Sequence, residues 1–159
     1  IVLVVSNNSS AGALIHAKNN NIEQLVIDKS TLNESNKVIQ LLHEGNIQLI
    51  VLAGFLLKFP EKIIENFKGD IINLHPSLLP KFGGKGMFGN NVHKAVLAAN
   101  EQKTGITIHY VNEHYDKGAI INQFEVPISD DDTVETIGLK IKDLEKMYFP
   151  STIEKLIKA

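Results

Sequence analysis

The chain has 159 residues, 43% of them hydrophobic and 21% charged, with a formal net charge of −2. That is one domain's worth of sequence with enough apolar residues for a core, so collagen-like, coiled-coil and disordered chains are excluded. The apolar runs are too short for a transmembrane span, and the near-neutral balance offers no footprint for nucleic acid. No cysteine is present, which removes disulfides, thiolate catalysis and Cys-ligated zinc and fits a cytoplasmic location. Every one of the 16 basic residues is lysine, so no bidentate guanidinium clamp exists for phosphate or carboxylate.

In chain order, Ile1–Val5 is a continuous β-branched apolar run, ended by Ser6-Asn7-Asn8-Ser9-Ser10, a stretch of turn and N-cap residues. A helix is expected from Ala11 to Asn19, with Leu14, Ile15 and the stem of Lys18 on its inner side. Leu25-Val26-Ile27 reads as a strand. Asn33 to Glu44 carries Val38, Ile39, Leu41 and Leu42 at helical spacing, and Gly45 stops it. Ile47–Ala53 is a strand closed by Gly54. Pro60 opens a short helix through Phe67, and Ile71–Leu74 is a strand halted by Pro76.

This alternation of apolar strands with helices predicts a three-layer α/β domain with a mostly parallel, Rossmann-like sheet. After a Gly-rich loop (Lys81–Asn90) and a helix over Asn91–Asn100 come strands at Gly105–Val111 and Ala119–Pro127. The segment between them is too short for a helical crossover, so they are expected to be antiparallel. Thr133 caps a last helix from Val134 to about Lys146, interrupted at Tyr148-Phe149-Pro150 before a final helical turn or two.

In open α/β sheets ligands sit beyond the carboxyl ends of the strands. Asn73 and His75 are two apart at such an end, so their side chains share a face. An amide donor and an imidazole on one spot can hold an oxyanion or move a proton. By spacing alone the simpler reading is a strand-end histidine satisfied by a neighbouring loop, and for Asp116 an ordinary turn aspartate. His109 and His114 near Asp116 lack any His-Glu-x-x-His pattern, and no metal site is expected. His16, His43 and His93 fall on predicted helices and read as surface residues. The loop Lys81–Gly89 lacks the phosphate-loop pattern and reads as a flexible lid. Ser129–Asp132 places acid at a helix N-terminus, and Lys142 with Glu145 reads as a surface i,i+3 ion pair.

The run Asn73-Leu74-His75-Pro76-Ser77-Leu78-Leu79-Pro80, followed by Tyr115-Asp116-Lys117-Gly118-Ala119-Ile120-Ile121, resembles the glycinamide ribonucleotide formyltransferases, a folate-dependent family of purine biosynthesis. Val51–Phe55, Gly105–Val111 and Tyr148–Pro150 match in order, so the resemblance spans essentially the whole chain. It implies formyl transfer from 10-formyltetrahydrofolate to the amine of glycinamide ribonucleotide. Asn73, His75 and Asp116 match the catalytic trio: the Asn73 amide and a protonated His75 would hold the oxyanion, while Asp116 would raise the His75 pKa and relay a proton through water. The folate pocket matches Leu56, Leu57, Lys58 and Phe59, with Asn73, and the loop Asn112, Glu113, His114, Tyr115 and Asp116. Lys142 and Glu145 match positions on the ribonucleotide, and His109 a histidine lining the site. The implied partners are small molecules, with no nucleic acid, membrane or metal, and a monomer or homodimer as the working unit.

The chain also departs from that pattern. Ile1–Val5 with Ser6-Asn7 aligns with the family's second strand, so the first strand and its phosphate-binding turn are expected to be missing from an N-terminally truncated single domain, residues 1–159. A family arginine near the phosphate falls at about Thr31. Alternatives within the class are the transfer-RNA formyltransferases and the formyltetrahydrofolate hydrolases. The former carry an Arg-Gly segment after the Pro motif, where Phe82-Gly83-Gly84 stands here, and the latter a different residue at Pro76. From another class, a non-catalytic folate- or sugar-phosphate-binding module would have no need of Asn73, His75 and Asp116 together.

Overall fold

The computed structural model describes residues 1–158, which divide into two compact units: Ile1–Gln48 with Phe59–Gly69, and Leu49–Lys58 with the chain from Asp70 on. In the first unit, strand β1 (Leu3–Ser6) leads through helix α1 (Gly12–Asn19) to a parallel strand β2 (Glu23–Val26). Helices α2 (Lys29–Asn33), α3 (Ser35–Glu44) and α4 (Glu61–Asn66) complete it.

Helix α1 buries Leu14 and Ala17, one turn apart, while Ile15 is 60% exposed, contrary to the expected inner face. The predicted helix over 33–44 has a second helix in front of it. Asp28 caps α2 by accepting from the Thr31 amide at 2.7 Å and the Ser30 hydroxyl at 2.8 Å, contacts that pull its carboxyl down to about 2. The chain then breaks at Glu34 (ψ 59°) before α3. At the end of α3 the left-handed residue is Asn46 (φ 53°) rather than Gly45, a conformation asparagine tolerates better than most residues.

The second unit holds a four-stranded mixed sheet, β3 (Leu49–Leu52), β4 (Asp70–His75), β5 (Lys103–Tyr110) and β6 (Ile120–Pro127), in that spatial order. β3 and β4 are parallel, and the other two pairings are antiparallel. The strands thus fall into two sheets, β1-β2 and β3-β4-β5-β6, where the sequence suggested one. Helix α5 (Asn90–Ala98) precedes β5, and α6 (Val134–Lys158) follows β6.

Period-2 alternation sorts the two faces of this sheet. Ile72 and Leu74 of β4, with Ile106, Ile108 and Tyr110 of β5, lie in clusters with Ile137, Ile141 and Phe149 of α6. Phe124 of β6 stacks on Tyr148 of α6, ring centroids 3.8 Å apart. The intervening residues Asn73, His75, Thr107 and His109 therefore share the opposite face.

Thr133 caps α6 as expected, its hydroxyl accepting from the Thr136 amide at 3.2 Å while the Thr136 hydroxyl accepts from the Thr133 amide at 2.9 Å. The expected interruption at Tyr148–Pro150 is absent: α6 runs unbroken through Pro150. Phe149 and Thr152 on either side are buried, and packing of the helix outweighs the one backbone bond that proline forgoes. Among the described residues no helix is long and apolar enough to cross a membrane.

Candidate active site

Asn73 lies opposite His109, and His75 opposite Thr107, in the β4–β5 ladder. The loop after β5 folds back over this face. It starts with the Val111 amide bonded to the Ile71 carbonyl at 2.8 Å and returns with the Tyr110 amide bonded to Ala119 at 2.9 Å. Between these ties Asp116 adopts a left-handed conformation (φ 54°), which an aspartate accepts more readily than most residues. Its carboxylate is thereby aimed at both histidines: Oδ1 is 3.5 Å from His75 Nδ1 and 3.7 Å from His109 Nε2.

The hydrogen bonds assign the ring protons. His109 Nδ1 is 2.8 Å from the Tyr110 carbonyl, which only accepts, so Nδ1 carries hydrogen and Nε2 accepts from Asn73 Nδ2 at 3.2 Å in the neutral ring. That leaves the second Nδ2 hydrogen of Asn73 outside this bond. His75 Nε2 likewise donates to the Phe82 carbonyl at 2.8 Å. With Nε2 protonated, His75 Nδ1 faces Asp116 with a lone pair when the ring is neutral and with a proton when it is charged.

Burial governs the balance. His75 is 3% exposed; burial pulls its pKa down, and Asp116 and the Phe82 carbonyl push it back only part of the way. Asp116 acts upward as expected, but the net shift of His75 is downward, because removing an imidazolium from water outweighs one carboxylate at this distance. For Asp116 itself, burial pushes upward and is overcome by His109 when its Nε2 carries a proton, by the Gly84 amide and by His75 when charged, leaving a carboxyl held below its ordinary value.

The Gly-rich segment does more than span a gap. Gly84 N–H donates to Asp116 Oδ2 at 2.7 Å, and Phe82, which supplies the carbonyl for His75, is itself left-handed (φ 57°). Residues 82–84 thus occupy one ring nitrogen of His75 and one oxygen of Asp116. Sequence reading missed these backbone partners, since a carbonyl and an amide carry no residue signature.

The other expected site residues are distributed as follows. Leu56, Leu57 and Lys58 follow β3, whose last residue Leu52 pairs with Asn73; the Leu56 side chain is 57% exposed. Phe59 belongs to the first unit. Asn112 braces its loop by accepting from the His114 amide at 3.0 Å, and His114 lies 3.2 Å from Glu113 at the surface. Tyr115 is exposed. Lys142 and Glu145 stand on α6, without a hydrogen bond or ion pair to the Asn73–His75–Asp116 cluster among the described residues. Burial pushes the Glu145 carboxyl up, with Lys142 opposing.

His16 and His43 are exposed as expected, but His93 is not: it is 5% exposed, its Nδ1 has no partner among the described residues, and burial lowers its pKa. The ring lies beside Gly138 of α6, a contact between two helices that helical periodicity in α5 alone did not reveal. Among the described residues no group of three or more His, Asp or Glu could hold a metal ion.

Residues 1–153 match the family described as formyl transferase. The chain is 36% identical to a chloroplastic phosphoribosylglycinamide formyltransferase of Vigna unguiculata, covering 98% of this chain and 51% of that protein. It is 34% identical to the phosphoribosylglycinamide formyltransferase of Haemophilus influenzae, covering 97% of this chain and 72% of that one. The chain spans about half the length of the plant relatives. A solved phosphoribosylglycinamide formyltransferase from Bacillus halodurans superposes with a TM-score of 0.88 at 34% identity, over 99% of this chain and 80% of that one.

Proposed function

We propose that this chain, which belongs to the formyl transferase family and within it to the phosphoribosylglycinamide formyltransferases, moves a formyl group from 10-formyltetrahydrofolate to the amine of glycinamide ribonucleotide. The observation that carries this reading is the meeting of Asn73, His75, His109 and Asp116, drawn from β4, β5 and the loop after β5, on one polar sheet face.

In the transfer the amine nitrogen bonds to the formyl carbon and the carbonyl electron pair moves to oxygen. The pair then returns, the bond to the folate nitrogen breaks, and that nitrogen takes up the proton the amine gives away. The amide hydrogen of Asn73 not given to His109 and the Nε2–H of His75 are the donors for the developing oxyanion, where one preorganised donor typically contributes about 10²–10³ in rate. To donate there, His75 shares its Nε2–H between the Phe82 carbonyl, which keeps the ring aimed, and the substrate oxygen, as a three-centre hydrogen bond. Asp116 then favours the charged form of His75 and receives the amine proton through water.

The exposed Leu56 and Tyr115 side chains, on loops after β3 and β5, suit a flat ring laid against them, and the backbone of residues 112–116 would read its polar edge. The proposed ribonucleotide contacts are Lys142, Glu145 and His109. The same reading includes a single formyltransferase domain, a monomer or homodimer, and a cytoplasmic location supported by the cysteine-free composition.

The test is formyl transfer measured with glycinamide ribonucleotide, together with folate affinity by calorimetry. His75→Ala should lower kcat at least a hundredfold while folate affinity stays within a few fold; near-parental turnover ends the mechanism.

A further inference from the structure

His75 is useful only if its ring is aimed, and one end of that aim is the Phe82 carbonyl, seven residues downstream. The turn between them is held by three polar side chains. Ser77 Oγ donates to the Lys81 carbonyl at 2.8 Å. Thr107 Oγ1 donates to the Ser77 carbonyl at 2.6 Å and accepts from the Leu79 amide at 3.0 Å. Gln123 Nε2 donates to the Leu79 carbonyl and to Thr107 Oγ1, both at 2.9 Å.

A hydroxyl has one proton and two lone pairs, and Thr107 uses all three, so its orientation is fixed by its partners. Gln123 spends its two amide hydrogens on two acceptors. His75, Thr107 and Gln123 lie in one row across β4, β5 and β6, since His75 pairs with Thr107 and Thr107 with Gln123. Thr107 and Ser77 are fully buried, whereas Gln123 sits exposed on the outermost strand and reaches inward over the turn.

We infer that Gln123 is a positioning residue: through Thr107 and the Leu79 carbonyl it locks the 76–82 turn and so places the acceptor that orients His75. Removing the amide leaves the Leu79 carbonyl without this donor and Thr107 Oγ1 with a free lone pair, and the turn gains freedom where His75 needs a fixed partner. The effect falls on orientation rather than on substrate contact, so it belongs to kcat; displacement by about 1 Å at such a site costs up to about 10² in rate. What His75 does chemically rests on the proposed function; the lock itself does not.

The experiment compares the chain with Gln123→Met, Thr107→Val and Thr107→Ser. Solvent exchange of the His75 Nε2 proton is followed by nitrogen-15 NMR, and kcat, KM and melting temperature are measured beside it. Gln123→Met should fold with a near-parental melting temperature, exchange that proton at least tenfold faster, and lower kcat about 10- to 100-fold with KM within threefold. Thr107→Val should do the same, and Thr107→Ser, which keeps the hydroxyl, should restore exchange and kcat to within about threefold of the parent. Parental exchange with kcat within twofold in Gln123→Met overturns the inference, as does equal damage from Thr107→Ser and Thr107→Val. Should Gln123→Met fail to fold, the two threonine variants decide. Absence of transfer by the parent chain would defeat the proposed function, while the exchange measurements still judge the lock.

Discussion

Gly118→Ala tests how the Asp116 loop is held in place. The backbone of Gly118 presses on β5: a Cβ built there lies 1.6 Å from the Tyr110 carbonyl oxygen and 2.6 Å from its carbon. Favourable carbon-to-carbonyl-oxygen contacts begin at about 3.3 Å, so the loop must retreat by about 1.7 Å. Gly118 is not among the residues with left-handed backbone, so alanine carries no left-handed penalty and the clash is the main perturbation. Two residues upstream, Asp116 holds the Gly84 amide at 2.7 Å and faces His75 at 3.5 Å. A retreat of that size breaks the first contact and carries the Asp116 carboxylate well beyond ion-pair distance of His75. The expected outcome is a stability loss of about 1–3 kcal/mol, as for other overpacked sites, read as a lower urea midpoint at unchanged m. Turnover should fall by about 10². A Gly118→Ala chain with the parent's midpoint and turnover would refute the wedge and, with it, the account of how Asp116 is aimed.

Two further outcomes follow from the buried histidines. Burial lowers the His75 pKa and Asp116 opposes it, so Asp116→Asn should lower it further in an NMR titration; an unmoved value would uncouple the two residues. His93 has its pKa lowered by burial, with no partner at Nδ1 among the described residues. The unfolded chain therefore takes up its proton first, so the stability contribution is complete above the ordinary histidine value of about 6.5 and is lost as pH falls through the depressed folded value. Urea midpoints should drop between about pH 7 and pH 5, and His93→Leu should remove part of that drop, with another part from the likewise lowered His75; an identical pH slope in His93→Leu contradicts this.

What could be read from the chain alone was whatever depends on neighbours in sequence. Alternation put Asn73 and His75 on one strand face because successive side chains point to opposite sides. The short 112–118 connection made β5 and β6 antiparallel because no crossover helix fits there. Thr133 announced the start of α6 because a hydroxyl at that place satisfies an orphan amide. The proposed roles of the site residues came from a resemblance in residue order, which carries chemistry without geometry.

Tertiary structure decided what depends on register and on loops folding back. Asp116 meets His75 and His109 only because the chain ties itself at Ile71 and Ala119 and turns left-handed between them. The partners of His75 at Phe82 and of Asp116 at Gly84 are backbone groups, invisible in residue types. His93 is buried because α5 packs beside Gly138 of α6, and α6 continues through Pro150 because Phe149 and Thr152 are buried. The sequence by itself determined which face of β4 Asn73 and His75 share, since strand periodicity is local. Only the fold decided which of them are aimed at one another, since a contact between residues 75 and 116 depends on every loop closed between them.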